Sequence, residues 1–135
     1  VGTLLLSAAC RARLVSSSVP TMPDTLFLLA HDFADGPGAP YYCPECALIS
    51  GVLHYYPQLR HVLDVRYVAY PRPRPAIVAL VGEANQGCPV MVLGEGAPAS
   101  VQGVSIGQHG ERRFVSGAAD IGRYLAAVYG VGRPH

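Results

Sequence analysis

The sequence predicts one α/β domain whose elements run in the order βαβ-α-ββα. Three observations carry that prediction. Leu26-Phe27-Leu28-Leu29-Ala30 is a short unbroken apolar run, as expected of a strand buried on both faces. Cys43-Pro44-Glu45-Cys46 follows after a loop and opens a stretch with helical period. Gly87-Cys88-Pro89-Val90 then leads into a second apolar run, so a proline loop feeds a later buried strand.

Each element has a local reason. Residues 31–40 hold Gly36, Pro37, Gly38 and Pro40 and read as a loop. From Pro44 a helix fits, with Leu48 or Ile49, Val52, Leu53 and Tyr56 at helical spacing. Proline suits its first turn, where the missing N–H has no helical partner. Pro57 ends or kinks that helix, and residues 58–63 add at most a further turn. Residues 65–70 are rich in β-formers and read as the second strand. Pro71-Arg72-Pro73-Arg74-Pro75 is a stiff connection, and residues 76–81 are a short helix closed by Gly82. Residues 90–93 form the third strand. The glycine-rich stretch 94–110 reads as an excursion, with room for a short extra strand at 102–106. Residues 112–115 give the fourth strand. In the last helix Ile121, Tyr124, Leu125 and Val128 share a face, and Gly130 is its stop signal.

Composition narrows the function classes. At 135 residues the chain suits one domain, and half of it is hydrophobic, which fits a compact core. A net charge of +1 leaves no polyanion footprint, so no nucleic-acid partner is expected. No apolar run approaches the ~20 residues of a membrane span. Four cysteines are too few for a secreted disulfide scaffold in a chain this apolar. A cytoplasmic protein with a specialised thiol pair is the expectation. Residues 1–21 read as an extension ahead of a domain at 22–135. Its short Leu4-Leu5-Leu6 run precedes Arg11 and Arg13, the reverse of a secretory signal, and Met22 reads as the natural first residue. Stable packing is not expected there, and Cys10 is given no role.

The chemistry centres on sulfur. Cys43 falls at or just before a helix N-terminus, where free N–H groups and the helix dipole favour a thiolate. It would attack a disulfide, and Cys46, one turn on, would resolve the mixed disulfide. Glu45 opposes this, since a neighbouring carboxylate disfavours a second negative charge. Tyr42, Pro44, Cys88 and Pro89 are the candidate substrate-binding residues. Cys88 fits either a place beside the pair or a small buried core position. His31 ends the first strand and reads either as a group near the site or, the commoner case for a lone histidine, as hydrogen-bonded packing. No histidine pair has metal-ligand spacing, and neither metal nor cofactor is expected. Arg72 and Arg74 read as solvated loop charges or as carboxylate binders.

The cysteine pair after the first strand and Pro89 before the third, in that element order, resemble the thioredoxin-like superfamily. The glutaredoxins and the N-terminal domain of glutathione transferases are the branches it looks most like. Residues 85–93 are similar to their loop into the third strand, where the proline is cis. Phe114-Val115 and residues 119–125 are similar to their last strand and helix. At finer grain the chain looks like a bacterial thioredoxin-like family known only as a domain of unknown function. The resemblance implies a four-stranded mixed sheet with three helices, and a protein or small-molecule disulfide as substrate. Ala118 stands where glutathione-binding relatives place a serine or an acidic residue that holds the glutathione amine, which argues against glutathione. The expected function is thiol–disulfide oxidoreduction. The alternatives are a metal or iron–sulfur module on Cys43, Cys46 and Cys88, and a non-catalytic interaction domain.

Overall fold

The computed structural model describes residues 22–135. The expectations for residues 1–21, Cys10 included, lie outside the described residues. The architecture is mixed α/β: β1 (Thr25–Leu29), α1 (Pro44–Tyr55), α2 (Leu59–Val62), β2 (Asp64–Val68), α3 (Pro75–Val81), a 3₁₀ turn (Glu83–Asn85), β3 (Val90–Val92), β4 (Gly107–His109), β5 (Arg112–Ser116) and α4 (Ala118–Tyr129). Among the described residues there are thus five strands where four were expected, and four helices where three were expected.

Both additions have local causes. Tyr56 ends α1 in a non-helical conformation just ahead of Pro57, and Leu59 then buries its side chain in the core, making α2 a separate element. The extra strand does not lie at 102–106 but follows directly, at Gly107–His109. Gly110, at φ 59°, turns it back onto β5, and Gly107 pairs with Phe114. A β-carbon at Gly107 would collide with the Phe114 ring, so glycine is what lets this edge strand approach.

The sheet order is β2-β1-β3-β5-β4, with β1 and β2 parallel and the other neighbours antiparallel. Register sorts the side chains. Leu26, Met91 and Val115 lie in one cross-strand row, facing Ile49 and Leu53 of α1 and Ile121 and Leu125 of α4. Phe27, Val90, Val92 and Phe114 face the other way, onto Ile77 and Val81 of α3. The central strands are therefore covered on both faces, which is why they read as continuous apolar runs. No helix among the described residues is long and apolar enough to cross a membrane.

One polar cluster locks the start of β1 to the end of α4. The buried Asp24 carboxylate accepts from the Gly94 N–H (2.7 Å), the Tyr124 hydroxyl (3.0 Å) and the Tyr129 hydroxyl (2.7 Å). Burial first, and then the Asp24 carboxylate, push both phenols above the ordinary tyrosine range. Stability from such groups is complete below the unfolded pKa and is lost above it, where only the unfolded chain gives up the protons. Above about pH 10 we therefore expect stability to fall by roughly 1.4 kcal/mol per pH unit for each phenol. Denaturant midpoints from pH 8 to 11 check this, and Tyr124→Phe with Tyr129→Phe should flatten the alkaline limb.

Candidate functional site

Cys43 is the N-cap of α1. Its backbone is extended (φ −80°, ψ 117°), and its Sγ accepts the Cys46 N–H at 3.3 Å. Pro44 follows in the first turn, where its missing N–H leaves no helical bond unmade. Cys46 sits one turn in and is buried, its Sγ accepting the Leu29 N–H at 3.4 Å from the end of β1. Burial, offset in part by that N–H and reinforced by Cys43, pushes the Cys46 thiol up to about 12. The pair is thus asymmetric: one partly exposed sulfur at a helix terminus, one buried sulfur behind it.

Cys88 and Pro89 come from the opposite wall. Pro89 directly precedes β3, and the Cys43 thiol points at the Cys88 carbonyl, 3.8 Å away. The Cys88–Pro89 peptide bond is cis. The Pro89 carbonyl accepts the Gly117 N–H at 3.0 Å, tying this loop to the start of α4. All three described cysteines are free thiols. Among the described residues, no group of three or more His, Cys, Asp or Glu side chains is placed to hold a metal ion.

Beside Cys43 and Cys46 lies a cavity of about 350 Å³, walled by Tyr42, His31, Ser50 and Tyr67. Tyr42 is 64% exposed and forms its outer lip. The loop 31–40 is pinned rather than loose. Phe33 pairs with Tyr41 through two backbone hydrogen bonds and stacks on Tyr70 with ring centres 4.2 Å apart. His31, two residues past β1 and exposed, stands at the cavity edge.

Two residues take places that local reasoning did not give them. Arg74, read as a solvated charge or a carboxylate binder, is only 5% exposed. Its guanidinium donates to the Tyr70 carbonyl (2.6 and 3.0 Å) and the Gln86 carbonyl (2.6 Å), while its N–H donates to the Gln86 side chain (2.7 Å). Gln86 is itself buried and was not singled out in the sequence. Glu45 is the other. Its carboxylate accepts the Ala118 N–H at 3.0 Å, capping α4. The N-cap position of α4, Gly117, sits at φ 87°, ψ 151°, a conformation open only to glycine, so no side chain there can do this. Glu45→Ala is expected to cost about 1 kcal/mol, typical of a lost N-cap. Urea titration checks it, and an unchanged midpoint would show that the contact is idle.

The match of a family model to residues 23–133 decides the relationship. The chain belongs to the DUF3088 family. That family is described as a protein of unknown function, and the match takes in every element of the fold, both cysteines of the pair and the Cys88–Pro89 loop. No curated protein and no solved structure matches the chain.

Proposed function

We propose that this DUF3088 member is a small thiol–disulfide oxidoreductase of thioredoxin-like fold, with Cys43 as nucleophile and Cys46 as resolving thiol. The observation that carries the proposal is the Cys43 sulfur at the N-terminus of α1, holding the Cys46 N–H and facing the Cys88–Pro89 loop. The sheet order also fits the thioredoxin-like resemblance.

In the reaction, the Cys43 thiolate attacks one sulfur of a substrate disulfide. A Cys43–substrate S–S bond forms, and the other substrate sulfur leaves as a thiolate. Cys46 then gives up its proton and attacks the Cys43 sulfur, forming the Cys43–Cys46 disulfide and releasing the second substrate thiol. Loss of the Cys43 charge in the first step removes one of the causes that hold the Cys46 proton on, so the second thiol is activated after the first has reacted. The cavity beside the pair, with its tyrosine lip, suits an exposed protein or small-molecule disulfide. Glutathione is disfavoured: Ala118 offers no side chain to its amine, and the Ala118 N–H is already taken by Glu45. A cytoplasmic setting would keep the pair reduced between turnovers.

Equilibration against graded dithiol–disulfide buffers tests the proposal. We expect one two-electron transition between about −270 and −120 mV, the span of known dithiol oxidoreductases. Mapping should find the Cys43–Cys46 disulfide in the oxidised protein. A pair that stays reduced across the whole series would overturn the redox reading.

A further inference from the structure

We propose that Cys88, which faces Cys43 across the site, is a second resolving thiol that can displace a substrate from Cys43. The inference rests on the oxidoreductase reading and adds a residue to it. Three observations carry it. The first is position: the Cys43 thiol points at the Cys88 carbonyl 3.8 Å away, so the two residues meet across the site.

The second is charge. Arg74 is 95% removed from solvent, yet its bonds go to the neutral carbonyls of Tyr70 and Gln86, and no ion pair among the described residues includes it. A buried cation is normally matched by an anion. The Cys88 thiol lies within the field of this guanidinium, and Arg72 adds a second positive charge that favours its ionised form.

The third is the contrast with Cys46. Burial raises both thiols, but only Cys88 has cations to oppose it, and Cys46 is the more buried of the two. A charge on Cys43 would also work against a Cys88 thiolate. That opposition vanishes once Cys43 is tied up in a mixed disulfide, leaving burial opposed by Arg74 and Arg72. The Cys88 thiolate then attacks the Cys43 sulfur. A Cys43–Cys88 bond forms, the Cys43–substrate bond breaks, and the substrate leaves as a thiolate that takes a proton from water. An external dithiol returns the protein to its reduced state.

The test uses the full chain with Cys10→Ser and Cys46→Ser, mixed with an aromatic disulfide that releases a coloured thiolate. Attack by Cys43 releases the first equivalent. We expect a second equivalent to follow, at least about tenfold faster than in protein that also carries Cys88→Thr, with a Cys43–Cys88 disulfide recovered by peptide mapping. A stable Cys43 adduct with Cys88 still open to alkylation would overturn the role of Cys88 and leave the oxidoreductase reading standing. Absence of any adduct on Cys43 would overturn both.

Discussion

Cys43→Ser is expected to reduce disulfide turnover to the rate of a protein-free blank, with no loss of stability. The two halves of that expectation have separate causes. Serine is among the preferred N-cap residues, so its hydroxyl can accept the Cys46 N–H in place of the sulfur and the helix start is kept. What disappears is the proposed nucleophile. Cys46 cannot stand in: burial, the largest cause of its raised pKa, still holds its proton on when Cys43 is replaced. Cys88 is also held up by burial and would have no partner to complete a turnover. Turnover and a urea midpoint measured on the same preparation decide the matter. Activity retained in a folded Cys43→Ser protein would remove Cys43 from the chemistry.

The largest stability effect should come from the other end of β1. Asp24→Ala removes the acceptor of three hydrogen bonds and leaves the buried Gly94 N–H and Tyr124 hydroxyl without a partner. Each orphaned buried donor costs about 1–3 kcal/mol, so a loss on the order of 4 kcal/mol is expected. That is a large part of the stability of a domain this size. Asp24→Asn keeps one acceptor oxygen and should cost distinctly less. Urea unfolding reads both, and the midpoint should move at constant slope. A shift under about 1 kcal/mol for Asp24→Ala would mean that water replaces the carboxylate.

These two sites also divide what the sequence makes legible from what it does not. The buried strands β1 and β3 are readable because both faces are covered, so every position is apolar. The start of α1 is readable because its N-cap and the proline after it are neighbours in the chain. Strand β4 is not, since Gly107, Gln108 and His109 sit at a sheet edge with no apolar alternation to announce them. Asp24 looks like a plain polar residue because its three partners lie 70, 100 and 105 positions away. Arg74 misleads for a related reason. Charge in a proline-rich loop reads as solvated, and only the folding of Tyr70 and Gln86 around it supplies the acceptors that allow burial. Interactions closed by long-range topology leave no local pattern.

Glu45 shows how such a long-range tie can restrict what the chain may become. In a dithiol motif the two residues between the cysteines are natural positions for tuning by substitution or grafting. Here one of them is also a structural part of α4, 73 positions away, and the glycine conformation at 117 leaves that helix no cap of its own. A dipeptide transplanted from another protein would therefore arrive with its redox character and without the cap. Variation at position 45 is coupled to the turn at 117–118, so drift or engineering at the motif has to move both together.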